Sequence, residues 1–350
     1  MQEGSRGYKR KEGGTVIEDF KGIWVYAEYD QTKVKSVTFE LLSKSLELAS
    51  ILNEEVSCVL IGADVKKFVP DLAAYGATKV YLAEDPNLKL YSSEAYAKIV
   101  TNLINTYKPS IILIPATKLG RDLAPRISAS VGTGLTADCT DLKVLDKNLV
   151  QVRPAYGGNI MAEIIAPNHR PQMSTVRPNV FKKIEPMSGK TAEIVQMPVT
   201  PDMLSMRAIV KEIISTSVAG VKKLDESDII VSVGRGVGTT KESLVDVQQL
   251  ADLLGAAMGC SRVIVDIGLM PKTAQIGQSG ITVSPKLYIA CGISGTIQHI
   301  VGMKESKMIV AINKDPNAPI FNIADYGIVG DVHTVVPVLI EELKKALKNN

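Results

Sequence analysis

The residues equipped for chemistry gather in the last third of the chain, in segments built around glycine. Ser232-Val233-Gly234-Arg235-Gly236-Val237-Gly238 follows an apolar run and precedes a helical stretch. Glycines at such a place let backbone N–H groups approach a phosphate, and Arg235 adds a fixed cation. The pattern is G-x-G-x-G, with Thr239 where the dinucleotide fingerprint has its last glycine, so a plain tight turn fits these residues equally well. Gln275-Ile276-Gly277-Gln278-Ser279-Gly280 lies in a long loop whose amides and hydroxyl could read the edge of a heteroaromatic ring. Cys291-Gly292-Ile293-Ser294-Gly295-Thr296-Ile297-Gln298-His299 joins a strand to a helix, with Ser294 as cap and His299 about one turn in. Both a structural and a functional role stay open for that histidine. Asn313 and Lys314 sit in a turn stiffened by Pro316 and Pro319, which suits a diphosphate or a ribose. Asp331, just before the last helix, is either a ligand group or an N-cap.

Other chemistries are excluded. Gly189-Lys190-Thr191 imitates the end of a P-loop, but Ile184 stands where the first glycine belongs and no strand–loop–helix context surrounds it. The cysteines Cys58, Cys139, Cys260 and Cys291 are far apart, with no C-x-x-C pair, and read as reduced, buried small hydrophobes. His169, His299 and His333 are too scattered to make a metal set, so no metal is expected. No activated nucleophile is evident.

The elements that must hold these segments alternate. In the first half, strands are expected at 23–29, 56–62, 79–83 and 110–115, with helices at 36–53, 65–75, 92–107 and 119–131. Short connections between them mean βαβ crossovers and a parallel sheet. The apolar runs 57–62 and 111–114 do not alternate, as expected of strands buried on both faces. After Gly134 the style changes: 141–145, 149–152, 160–165 and 173–176 read as short strands of an antiparallel extension, turning at Gly157-Gly158-Asn159. Residues 182–202, with Pro186, Pro198 and Pro201, read as a strand plus a linker. Alternation resumes with strands at 229–233, 262–266, 287–290 and 308–312, helices at 241–255 and 296–301, and a closing helix at 335–348. The predicted fold is α/β: two doubly wound domains, the first with an antiparallel extension, the second a parallel-sheet domain carrying the glycine loops. The divisions are a flexible tail over 1–20, a first domain over 21–204 and a second over 205–350. Ligands of such sheets sit outside the carboxyl ends of the strands, where those loops lie.

With 350 residues, 45% of them hydrophobic and 22% charged, there is material for two cores. Aromatics are only 5%, so those cores must be aliphatic. The formal net charge of +3 is too small to attract nucleic acid, and part of it is local to Arg6, Lys9, Arg10 and Lys11. No apolar run approaches the roughly 18 residues of a membrane span, and no signal-peptide stretch opens the chain. A cytoplasmic protein is expected.

Taken in order, SVGRGVG, Ser261-Arg262, QIGQSG, CGISGTIQH, INKDPNAPIF and ADYGIVGD resemble the α (large) subunit of electron transfer flavoproteins. The first domain agrees in 120–126 (GRDLAPR), 135–139 (LTADC), 153–159 (RPAYGGN) and 174–177 (STVR), so the resemblance runs from about residue 20 to the end. One departure is Val233, where a small glycine often precedes the Gly-Arg turn. The resemblance implies one FAD in the second domain and a heterodimer with a β subunit that carries AMP or a second FAD. It implies cofactor contacts from Arg235, Ser261 and Arg262, with the Arg262 guanidinium near the flavin ring. Ile276, Gly277, Gln278 and Ser279 would lie along the ring, with the Ser279 hydroxyl reaching N5. Ser294, Gly295, Thr296, Ile297, Gln298 and His299 would surround the ribityl chain and pyrimidine edge, His299 toward O2. Asn313, Asp331 and Val332 would hold the diphosphate and adenosine.

Arg262, Ser279 and His299 are thus the residues expected to act on the flavin, the first and last by balancing charge on its N1–C2=O2 edge. The function implied is electron carriage between an acyl-CoA dehydrogenase or similar donor, as in fatty acid β-oxidation, or the partner subunit's cofactor, and another redox protein. Some members divide electron pairs from NADH between ferredoxin and a second acceptor. The rival reading is a nucleotide-dependent oxidoreductase on the same scaffold, against which the broken dinucleotide fingerprint counts.

Overall fold

A computed structural model of the chain describes residues 19–30, 32–155, 160–212, 224 and 227–348. They fall into two compact units, the first made of the described residues up to Glu212, the second of those from Leu224 on.

The first unit holds strands β1 Ile23–Tyr26, β2 Val56–Gly62, β3 Lys79–Glu84, β4 Ile111–Pro115, β5 Leu135–Cys139, β6 Asp141–Leu145, β7 Asn148–Ala155, β8 Ile160–Ile165, β9 Gln172–Val176 and β10 Glu193–Gln196. Its helices are α1 Ser36–Leu52, α2 Val69–Ala74, α3 Ser93–Tyr107 and α4 Lys118–Val131. Seven strands form one parallel sheet in the order β10-β3-β2-β1-β4-β9-β5. The two-residue repeat of a strand sends Ile23 and Val25 to a core shared with Leu41, Leu42 and Leu48 of α1, and Trp24 and Tyr26 to a core shared with α3 and α4. Both faces are therefore covered, and β2 is buried at every position. A separate antiparallel sheet runs β6-β7-β8.

Two expectations for this unit need correction. Residues 173–176 do not extend the antiparallel sheet. As β9 they insert between β4 and β5, because every position from Gln172 to Val176 is buried and needs neighbours on both edges. The boundary near Leu204 falls too early: Leu204 and Met206 pack on the first unit's core, the Lys98 ammonium donates to the carbonyls of Asp202 and Ser205 at 2.8 Å each, and Glu94 accepts from both the backbone N–H and the guanidinium of Arg207. The tail up to residue 18 and the turn at 157–159 lie outside the described residues.

The second unit holds β11 Ile229–Val233, β12 Ala257–Cys260, β13 Leu287–Cys291, β14 Ile309–Asn313 and β15 Tyr326–Val329, with α5 Val245–Leu253, α6 Arg262–Asp266, α7 Ile297–Ile300 and α8 Val332–Lys348. The strands form a parallel sheet in the order β12-β11-β13-β14-β15. Val231, Val233, Ile289 and Cys291 face α5 and α8, while Ile230, Tyr288, Ala290 and Ala311 face a second core with Ile276, Met303 and Ile320. Residues 262–266, expected as a strand for their β-branched run, form α6 instead. The edge strand is the small-residue stretch just before it, and α6 needs only Ile264 inside, with Arg262 and Asp266 pairing one turn apart on its surface. The strand β15 has no counterpart among the elements expected from the sequence.

Candidate functional site at the carboxyl edge of the second sheet

From β11 the chain moves outward to β12 and then returns to β13 on the other side, so the direction of winding switches between β11 and β13. A doubly wound sheet opens its ligand crevice at that point. Every residue singled out in the sequence follows the carboxyl end of a strand here: Arg235 after β11, Ser261 and Arg262 after β12, 294–299 after β13, Asn313 at the end of β14, Asp331 and Val332 after β15. The 276–279 loop is drawn to the same edge, because the Ile276 N–H donates to the Cys260 carbonyl at 2.9 Å and the Gln278 N–H to that of Gln298 at 2.7 Å.

The two glycine turns differ in what they leave available. At the switch point they press together: the N–H groups of Gly234 and Gly236 donate to the carbonyls of Cys291 and Gly292 at 2.8 and 2.9 Å. A Cβ on Gly234 would lie 2.4 Å from the Gly292 carbonyl oxygen, so glycine here serves loop-on-loop contact. Val237 and Gly238 donate to Gly234 and Arg235. The expectation that this turn offers its backbone N–H groups to a phosphate is thus corrected for its glycines, whose donors are already used, leaving the N–H and exposed guanidinium of Arg235 as its polar resource. Among the described residues no intrachain acceptor takes the N–H groups of Ser294, Gly295, Thr296, Ile297 or Gln298. Gly295, at φ +84°, makes that turn possible: a Cβ there would sit 2.3 Å from the Ile320 backbone nitrogen.

His299 is 5% exposed, and its Nε2 lies 2.9 Å from the Tyr288 hydroxyl. Burial pushes Tyr288 far above the ordinary phenol range and the His299 imidazole down to about 4, so both are neutral. The contact has two senses: with the phenol donating to Nε2 the ring's own proton sits on Nδ1, and with Nε2–H donating to the phenol oxygen Nδ1 is a bare acceptor. Nδ1 is buried and makes no hydrogen bond of ordinary geometry, although the Ile276 backbone lies close enough to offset part of the cost of charging the ring. The row of free backbone donors at 294–298, beside a buried neutral imidazole, suits a ligand rich in acceptor atoms, such as the carbonyls of a flavin or the oxygens of a diphosphate.

The other positions are less committed to a ligand. Arg262 is exposed, and its Nε pairs with Asp266 at 3.3 Å. Ser279 accepts from the Gln275 amide at 3.0 Å. The Asn313 amide donates to the Ile293 carbonyl at 2.9 Å and accepts from Asp315 N–H, so it braces the second turn. Asp331 accepts from the His333 N–H at 2.9 Å, which is the N-cap reading. Val332 is buried in the core against α5 and β13. Sequence reasoning misses three contributors: Tyr288, Lys272 and His333. Tyr288 carries a faint signal, being a hydroxyl in an otherwise apolar buried strand. His333, whose ring reaches the Val237 carbonyl at 2.8 Å across 96 residues, carries none.

Residues 23–202 match the family described as electron transfer flavoprotein domain, and residues 223–304 match the electron transfer flavoprotein FAD-binding domain. The electron transfer flavoprotein subunit alpha of Megasphaera elsdenii is 47% identical over 332 residues, covering 94% of this chain and 98% of that protein. The chain belongs to the electron transfer flavoprotein α-subunit family. Two further members are named for larger assemblies. The acryloyl-CoA reductase electron transfer subunit beta of Anaerotignum propionicum is 40% identical (94% of this chain, 97% of that one). A lactate dehydrogenase (NAD(+),ferredoxin) subunit of Acetobacterium woodii is 42% identical (95% and 81%). The described residues contain no cluster suited to a metal ion and no helix long and apolar enough to cross a membrane.

Proposed function

We propose that this chain is the FAD-holding α subunit of a heterodimeric electron transfer flavoprotein, carrying electrons in the cytoplasm between a dehydrogenase or the β subunit's cofactor and another redox protein. The observation that carries the proposal is the row of free N–H groups at 294–298 beside the buried, neutral His299 ring. A flavin held there supplies reversible one- and two-electron chemistry, which no side chain of the protein can.

The chain's own residues bind and tune. His299, kept neutral by burial, accepts from Tyr288 at Nε2 in this reading and donates a hydrogen bond from Nδ1 to the pyrimidine edge. The Arg262 guanidinium supplies the positive charge that a neutral imidazole does not, and being exposed it is free to leave Asp266 for an anionic ring. Ser279 offers its hydroxyl to N5. The N–H groups of 294–298 and the Arg235 cation receive the ribityl and diphosphate oxygens, while Asn313 and Asp331 brace the turns that carry them. The names of the lactate dehydrogenase and acryloyl-CoA reductase relatives support extending the reading to an assembly with a second FAD in the β subunit, which divides electron pairs between ferredoxin and another acceptor.

Co-expression with the β subunit, a visible spectrum and cofactor extraction test this directly. One flavin per heterodimer is expected of a simple carrier and two of a dividing assembly. A colourless heterodimer that takes up no FAD refutes the proposal.

A further inference from the structure

Gln275 is 1% exposed, and both ends of its amide are engaged. One end meets the Lys272 ammonium, the other the Ser279 hydroxyl oxygen at 3.0 Å. An ammonium has only protons to give, so the amide atom facing Lys272 must be the oxygen. The NH2 group therefore faces Ser279, and an NH2 group can only donate. Ser279 must accept, which leaves its own proton free for an acceptor outside the chain. The loop geometry reinforces this: the Gln275 carbonyl accepts from Ile281 N–H at 2.7 Å, and a Cβ on Gly280 would lie 2.3 Å from that oxygen, so 275–281 closes on itself and brings Ser279 over the amide. Without Lys272 the amide could turn over, and Ser279 would point its proton inward and a lone pair outward.

We propose that Lys272 and Gln275 are positioning residues that set the polarity of the Ser279 hydroxyl, holding it as a donor toward an electron-rich acceptor atom of the bound cofactor. This rests on the flavin reading given above. Its consequence is energetic: a donor facing an atom that gains charge on reduction favours uptake of the first electron, whereas a lone pair opposes it.

The experiment is a cycle of four flavin-loaded heterodimers, unsubstituted, Gln275→Glu, Ser279→Ala and the double variant, read by spectroelectrochemical titration. The introduced carboxylate is nearly isosteric with the amide and keeps Lys272 as its partner, but it accepts where Gln275 donates. Loss of the Ser279 donor should disfavour the first electron by roughly tenfold in Ser279→Ala, equivalent to about 59 mV. Gln275→Glu should give a comparable shift with Ser279 present and a clearly smaller one without it, the remainder being the plain effect of the added charge. Equal shifts in both backgrounds would overturn the proposal. Lys272→Met, on the exposed side of the relay, provides the same comparison should Gln275→Glu not fold. If the unsubstituted heterodimer binds no flavin, the flavin reading fails and this proposal with it; if it binds flavin and the cycle shows no coupling, only this proposal fails.

Discussion

Acidification should destabilise the second unit through His299, by an amount that follows from its burial. The ring moves from an ordinary value of 6.5 to about 4 on folding because a charged imidazole is desolvated among Tyr288, Ile276 and the 294–299 turn. Above pH 6.5 the ring is neutral in both states, and it contributes nothing to pH dependence. Below that value the unfolded chain takes up a proton that the folded one refuses. Each pH unit between the two values removes about 1.4 kcal/mol, so the total by pH 4 is about 3 kcal/mol. That is a large part of the roughly 5–15 kcal/mol that holds a domain folded. Urea unfolding at a series of pH values, with hydrogen-exchange protection of β13 assigning the transition to the second unit, measures the slope. The comparison is with His299→Gln, which cannot titrate; carboxylates common to both proteins cancel. Unsubstituted protein should lose about 3 kcal/mol more than the variant between pH 6.5 and 4. Identical slopes would mean that the ring titrates normally and is not sealed from water, and the argument for a buried, neutral His299 would fall.

Gly295→Ala forces a Cβ against the Ile320 backbone at positive φ, and should cost about 2–4 kcal/mol together with most flavin retention, checked by thermal unfolding and by absorbance after gel filtration. His333 behaves oppositely to His299. Its pKa is raised, first by the Val237 carbonyl and also by Asp246 and Asp331, so its contribution is complete below about pH 6.5 and fades as pH rises through the folded value. With the ring more than a third exposed, screening holds that contribution to about 0.5 kcal/mol or less, and Asp246→Asn should reduce it in a pH series of melting curves while the Val237 carbonyl keeps the rest. Arg262→Lys should reduce the yield of one-electron-reduced flavin in reductive titration, since a point charge does not reproduce a planar guanidinium, and an unchanged yield would remove Arg262 from the site. Cys139, Cys260 and Cys291 are pushed up by burial to about 11, 12 and 12, and Cys58 still higher, so a thiol reagent at neutral pH should label none of the four until the protein unfolds.

By itself the sequence determined the architecture, because periodicity and turn chemistry are local. The span of β2 and those of β6, β8 and β11 are readable from apolar runs and their punctuation, and the strand–helix alternation dictates parallel sheets. It also determined that the loops at 234–238, 292–299 and 313–319 stand at the carboxyl edge, since each directly follows a strand, whereas the 275–280 loop reaches that edge only through its tertiary hydrogen bonds. Tertiary structure alone decided what each loop offers. The two glycine turns look alike as strings, yet one uses its N–H groups on the other, a contact across some 57 residues that no local pattern encodes. Residues 262–266 have the composition of a strand and form a helix because the sheet edge was already filled by β12. The neutral state of His299 depends on its burial, and the donor sense of Ser279 on an ammonium that happens to face Gln275. Charge, tautomer and hydrogen-bond polarity are properties of surroundings, and surroundings exist only after the chain has folded.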